Sequence, residues 1–253
     1  MDNALTFFAR TETGLVRPTN QDMYGVVFDP PAWPASFILA DGMGGHANGQ
    51  LAAELAVSTL TEYLSQQLPE RNVPETIVEL LEDGIQKANV RIYMESLEDE
   101  NNFGMGTTLT MVVLYEESIY LAHVGDSRCY LLRDNQLEQL TRDQNLAGEL
   151  VLSGAITREE SRHHPNRNVL TQALGSSTYL APEVLHVDRK HGDRLLICSD
   201  GLHGPVPDNE IRTVLRKSKT PETATNQLVD LALAAGGPDN ITAIVVYNQG
   251  AKS

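Results

Sequence analysis

Cysteine is scarce in this chain: two residues, Cys129 and Cys198, in 253. Neither sits in a C-x-x-C, and two thiols alone cannot complete a four-ligand zinc site. Both lie inside apolar runs, "SRCYLL" and "LLICSD", so they read as buried, reduced thiols of a cytoplasmic protein. Positive charge is short as well. Nineteen Lys and Arg against 34 Asp and Glu leave a formal net charge of −15. Such a surface repels nucleic-acid phosphate and anionic lipid, which excludes both as general partners, but it tolerates divalent cations. No apolar run approaches the ~18 residues of a membrane span. The start "MDNALTFFAR" lacks the basic and then apolar order of a secretory signal. Also missing is a glycine-rich strand-to-helix phosphate loop, which argues against a Rossmann or P-loop nucleotide protein.

What is present is ordinary globular material, 41% hydrophobic and 21% charged, in a chain long enough to bury a sizeable core. No internal repeat, low-complexity linker or break in composition divides it, so one domain over residues 1–253 is expected. Short strand patterns at 5–9, 23–28 and "SFILA" precede a helical period from Asn48 to about Leu68, with Ala52, Leu55, Ala56, Leu60, Tyr63 and Leu64 on one face. A second helix is predicted from Pro74 to about Ser96, striped by Ile77, Leu80, Leu81, Ile85, Ala88 and Ile92. Strands follow in quick succession, "TTLTMVVLY", "SIYLAHV", "RCYLLRD" and "QLEQLT", and their short connections predict antiparallel pairing. Residues 143–168 are polar and irregular apart from a capping box at Thr157–Glu160. Two more strands, a short helix near 208–216, a longer helix from Thr220 to the Gly236-Gly237 stop, and the strand "NITAIVVY" complete the chain. Helices between groups of strands need sheet faces to cover, which predicts an α+β layered sandwich.

Aspartates stand at the ends of these apolar runs. Asp41 and Asp200 close strands and are followed by Gly42 and Gly201; Asp126 follows "AHVG"; Asp22 and Asp239 lie just before strands. Aspartate beside glycine commonly forms a turn, and any one of these alone reads that way. Their joint occurrence points elsewhere, because clustered carboxylates raise one another's pKa unless cations lie between them. Hard, octahedral ions such as Mg²⁺ and Mn²⁺ take such oxygen ligands, and a two-metal pair clamps a phosphoryl group. Gly42, Gly44 and Gly45 then leave the backbone free to bend and to bring a carbonyl close to an ion.

In order, "RPTNQD", "ADGMGGH", "GMGTT", "AHVGDSR", "CSDGL" and "GGPDNIT" resemble the motif series of the metal-dependent protein phosphatases, the type 2C serine/threonine family, in its compact bacterial branch. The match runs from about residue 5 to 247. The resemblance implies a four-layer α/β/β/α sandwich of two antiparallel sheets flanked by helix pairs. It implies one phosphatase catalytic domain with a flap at about 143–168. It also implies a centre of two tightly bound Mn²⁺ or Mg²⁺ ions and a third, weaker one. A metal-bridging hydroxide would hydrolyse phosphoserine and phosphothreonine with no covalent phosphoenzyme. Phosphorylated proteins, opposing a serine/threonine kinase, would be the partners of a monomer.

Position by position, Asp41 resembles the carboxylate bridging both metals, and Gly42 the carbonyl ligand of the first. Asp22, Asp200 and Asp239 complete the second, and Asp126, with Asp200, corresponds to the third-metal ligand. Arg17, five residues before Asp22, matches the phosphate-gripping arginine, whose guanidinium fork suits phosphate oxygens. His46 fits two roles equally, proton donor to the leaving oxygen or orienter of a water or carboxylate. Asn240 reads as support for Asp239. The chain departs from the family at Gln144, where relatives have histidine, and at Gln172, where they often have arginine. These positions bear on the flap and substrate preference. His163 and His164 read as surface or substrate-facing, not as ligands. Two rival functions are a pseudophosphatase binding module, which would have lost a metal carboxylate, and a broader two-metal phosphomonoesterase of small phosphoesters.

Overall fold

Alternating apolar runs joined by tight turns fold here into two antiparallel sheets that stack face to face. The computed structural model describes residues 5–28, 34–44, 47–68 and 74–249. One sheet runs β2 (Asp22–Val27), β3 (Ala35–Met43), β5 (Leu109–Tyr115), β6 (Ser118–Val124), β9 (Glu183–Asp188), with the short β4 (Gly106–Thr107) paired to the end of β3. The other runs β1 (Leu5–Glu12), β11 (Ile241–Asn248), β10 (Arg194–Cys198), β7 (Arg128–Arg133), β8 (Gln136–Gln139). The turn between β7 and β8 places both Asp134 and Asn135 at positive φ, 49° and 62°, the conformation a two-residue hairpin needs and asparagine and aspartate tolerate.

Between the sheets lies a dry layer of Phe37, Leu39, Val112 and Leu121 from one side and Leu131, Ile197, Ile244 and Val246 from the other. Helices α1 (Ala47–Gln67) and α2 (Pro74–Glu98) cover the outer face of the first sheet. Every residue of the predicted α2 stripe is buried there, as are Ala52, Ala56, Leu60 and Leu64 of α1, while Leu55 and Tyr63 are half-buried at its edge. Helices α6 (Asp208–Lys217) and α7 (Pro221–Ala234), with the single turn α5 (Asp200–His203), cover the second sheet. The order of layers is helix, sheet, sheet, helix. Cys129 and Cys198 are free thiols buried in these cores. No helix among the described residues is long and apolar enough to cross a membrane.

The polar segment after β8 contains more order than its composition predicts. Besides α4 (Arg158–Arg162), capped by the predicted box, it forms α3 (Leu146–Leu152) with Asn145 as N-cap. Its two ends meet: Leu146 donates its N–H to Val169 O at 3.0 Å and Thr171 to Gln144 O at 2.8 Å. The segment expected to be a flap is therefore a closed excursion hung from residues 144–146 and 169–171.

Candidate active site

The sheet register first brings two carboxylates side by side. Asp22 opens β2 and pairs across the ladder with Asp41 of β3. β3 then continues through Gly42, which pairs with Thr107 of β4. Asp41 is anchored through its backbone: its N–H donates to Thr108 Oγ1 at 3.1 Å, and its carbonyl accepts from Thr108 N and Thr107 Oγ1, both at 2.9 Å. Thr108 in turn shares a hydroxyl hydrogen bond of 2.9 Å with Ser127. The opposite sheet supplies Asp200, the first residue of α5 after β10, and Asp239, just before β11. Asp126 sits in the turn from β6 to β7, after Gly125 at φ 104°.

Burial and mutual repulsion govern these groups. Burial, then the charges of Asp22, Asp200, Asp126 and Asp239, hold the Asp41 carboxyl well above the usual range. Asp200 is raised well above it too, by burial and then by Asp126, Asp239 and Asp22. Asp22 is pushed up to about 6 by burial, against the lowering effect of the Ser199 hydroxyl bonded to it. Each of these aspartates thus registers the others through space, although they come from separate strand ends. Their charges lie close enough to act on one another.

The donor chemistry suits hard cations. Among the described residues no three His, Cys, Asp or Glu side chains close into a ready-made cage. The donors of the aspartate cluster are all oxygen, the ligand type that hard ions such as Mg²⁺ and Mn²⁺ take. Asp22 Oδ2 accepts from Ser199 Oγ at 2.7 Å, but its Oδ1 is buried with no hydrogen-bond partner. A buried, orphaned carboxylate oxygen costs free energy unless a cation or water meets it. The residues fit a cation centre.

Gly42 has a different reason from the predicted one. It lies within a strand, and a Cβ there would overlap the carbonyl of Gly49 in the first turn of α1 and press on Gln21 O. Backbone-to-backbone contact between β3 and α1, not freedom to bend, demands glycine at 42. Gly44, at φ 114°, is the one that bends. Gly45 and His46 lie outside the described residues.

Arg17 reaches the cluster from the loop before β2. Its Nη2 donates to Asp239 Oδ2 at 2.7 Å, with half of the side chain exposed. Asn240 holds that loop: its Oδ1 accepts from Gln21 N at 2.8 Å, and its Nδ2 donates to Thr13 O and Thr19 O at 2.8 and 2.9 Å. It also caps Asp239, whose Oδ1 accepts the Asn240 N–H at 2.9 Å. Support for Asp239 was legible in the sequence, whereas the clamp on the Arg17 loop was not.

Other supporting residues went unread. Ser199 precedes Asp200 within "CSDGL", and only the fold shows that its hydroxyl serves Asp22, 177 positions away. Asn145, buried, donates its Nδ2 to Asp126 Oδ2 at 3.0 Å. His203 donates from Nε2 to the Asp126 carbonyl at 2.9 Å, and burial with the nearby Arg128 charge pulls its pKa down to about 3, so it is neutral. Gln144 ties into the same turn, its Oε1 accepting from Gly125 N at 2.9 Å. Gln172 lies at the surface on a cavity of about 580 Å³ between the flap and the second sheet. In the flap, His163 is exposed and His164 Nδ1 accepts from Asn166 N at 3.2 Å.

Comparison with known proteins agrees with this architecture. The family model described as protein phosphatase 2C matches residues 17–232. The serine/threonine phosphatase stp of Listeria monocytogenes is 36% identical over 94% of this chain and 93% of its own. A serine/threonine phosphatase structure from Staphylococcus aureus superposes with a TM-score of 0.91 at 34% identity, covering 99% of this chain and 96% of that one. The catalytic domain of the phosphatase PstP, solved with two manganese ions, gives 0.82 at 34% identity over 96% and 97% of the two chains. The chain belongs to the protein phosphatase 2C family.

Proposed function

We propose that this chain is a protein serine/threonine phosphatase whose single catalytic domain hydrolyses phosphoserine and phosphothreonine in proteins at a Mn²⁺/Mg²⁺ centre. The convergence of Asp22, Asp41, Asp200, Asp239 and Asp126 from separate strand ends carries the reading. Asp41, central in the mutual repulsion, would be shared between two ions, with the Gly42 carbonyl beside it. Asp22, Asp200 and Asp239 would complete that centre, and Asp126 with Asp200 would hold a third, weaker ion. Ions held there supply Lewis acidity toward a phosphoryl oxygen and make water nucleophilic near neutral pH. The chain's own part is positioning. Ser199 fixes the Asp22 carboxylate, the Thr107–Thr108 bonds fix Asp41, and Asn240 fixes the Arg17 loop so that the guanidinium can grip phosphate oxygens. Relatives named serine/threonine protein phosphatase support the substrate class, and the reading is of a cytoplasmic monomer opposing a kinase. The test is turnover of a phosphopeptide panel with Mn²⁺ and with Mg²⁺, against phosphotyrosine and nucleotide controls. Preference for nucleotides or small phosphoesters would overturn protein specificity in favour of a broad phosphomonoesterase.

Two variants separate the roles. Arg17→Ala removes a clamp that binds ground state and transition state alike, so KM should rise roughly 10-fold or more while kcat falls less. Unchanged KM on a phosphopeptide would remove Arg17 from the substrate site. Asp126→Ala should stay folded and keep two Mn²⁺ per chain, yet lose most of its kcat at saturating substrate. If melting temperature falls instead and kcat per folded molecule holds, Asp126 is structural.

A further inference from the structure

Asn145 uses both ends of one side chain for two different elements. Its Oδ1 accepts from Gly148 N at 2.8 Å, capping α3. Its Nδ2 donates to Asp126 Oδ2 at 3.0 Å. Its backbone pairs with Leu170 at the closing base of the flap. Side by side with it, Gln144 exchanges two further bonds with Gly125: N–H to carbonyl at 2.7 Å, and side-chain Oε1 from Gly125 N at 2.9 Å. The first turn of α3 also packs closely on the chain before it, since a Cβ at Gly148 would overlap the Asp143 carbonyl. The flap base and the Gly125-Asp126 turn are stitched into one unit, and Asn145 is the only described side chain that hydrogen-bonds to the Asp126 carboxylate from the flap.

We infer that Asn145 is a positioning residue that couples the Asp126 carboxylate to flap helix α3, so that the state of one sets the state of the other. A buried carboxamide that loses its acceptor is left with an unsatisfied N–H, and relief comes by rotating or by admitting water. Rotation withdraws Oδ1 from Gly148 and uncaps α3. Conversely, loosening α3 frees the carboxamide and lets the Asp126 carboxylate swing. Such coupling is reciprocal. An ordinary cap would serve α3 alone, and serine would replace it; serine is too short to reach Asp126 as well. Catalytic consequences of the coupling rest on the phosphatase reading, whereas the coupling itself does not.

Hydrogen exchange of the α3 amides, Gly148 included, in metal-free protein tests the coupling without any activity measurement. Asn145→Ser, which keeps a cap, and Asp126→Ala, which leaves the cap untouched, should each speed α3 exchange by about 10-fold, the effect of losing a hydrogen bond to a charged group. The double variant should add nothing further, and α7 amides should not change. Wild-type α3 protection in Asp126→Ala, or single effects that multiply in the double variant, would overturn the coupling. In the Mn²⁺-loaded enzyme Asn145→Ser should lower kcat about 10-fold with KM within about twofold. A kcat equal to wild type, with the exchange result standing, would remove Asn145 from the reaction and leave it a structural link.

Discussion

Asp41→Asn is expected to lower phosphopeptide turnover by about a thousand-fold or more while making the metal-free protein more stable. The activity loss follows from position. Asp41 is the carboxylate whose pKa all four of its neighbours raise, so on the proposed assignment a cation pair would lose its shared ligand there, and electrophilic stabilisation of several kcal/mol with it. The stability gain follows from the same crowding. Without cations, each added negative charge in this buried cluster is destabilising. The sign can be worked through pH. Asp22, at about 6, and Asp41 and Asp200, both held well above the usual carboxylate range, bind protons more tightly folded than unfolded. Their contribution to stability is complete below the unfolded value of about 3.9 and is lost as pH rises through the folded values. Over pH 7 to 8.5 the chelated wild type should therefore lose melting temperature, while Asp41→Asn should lose less. His123 and His203 do not disturb that window, because burial holds them neutral, near 4 and 3, in the folded state, and unfolded histidine is largely neutral above pH 7 as well. Saturating Mn²⁺ should raise the wild-type melting temperature most at the alkaline end and leave Asp41→Asn nearly unmoved. A variant that keeps two Mn²⁺ sites, or a chelated wild type more stable at pH 8.5 than at pH 7, would contradict the assignment.

The same residues show what a sequence discloses and what it conceals. Each aspartate of the site ends or precedes an apolar run, so its place at a strand end could be read from its neighbours alone. The α2 stripe could be read because 3.6-residue spacing is a local property. Helix α3 could have been read from Asn145 before "LAGELVL", an N-cap ahead of an apolar run, but its glycine and polar surroundings look like loop. Helix α5 is one turn, four residues, too short for any period. Distant pairings were the true blind spot. Ser199 bonds Asp22 across 177 positions and Asn240 bonds the Gln21 amide across 219, and no local pattern connects such residues. The close approach at Gly42 was hidden for the same reason, since the group that forbids a side chain there belongs to Gly49 on another element.

Beneath the flap, another distant pairing carries the second large effect. Arg128 at the start of β7 forms two parallel bonds to Asp143, 2.8 Å from Nε and 2.6 Å from Nη2, and its Nη1 donates to Tyr130 Oη at 2.7 Å. Both side chains are nearly buried, 11% and 16% exposed. Burial alone would raise the Asp143 carboxyl, yet the Arg128 hydrogen bonds and charge outweigh it and hold the group below its ordinary range. Removing the guanidinium strands a charge in the interior. Arg128→Met should cost about 3–5 kcal/mol, which at roughly 2–4 °C per kcal/mol for a chain of this size lowers the melting temperature by about 6–20 °C. The surface pair of Arg10 with Asp230, whose carboxylate is 66% exposed, offers the contrast, since deleting it should cost about 1 kcal/mol or less. The double variant Arg128→Met/Asp143→Leu removes both charges together and should recover most of the loss, because the cost lies in the unpaired charge more than in the missing bond. Thermal melts of the three proteins in chelator, where the cation centre contributes nothing, decide the matter. If Arg128→Met melts with the wild type, or if the double variant is worse than the sum of its parts, the pair is not what fastens the flap base to the second sheet.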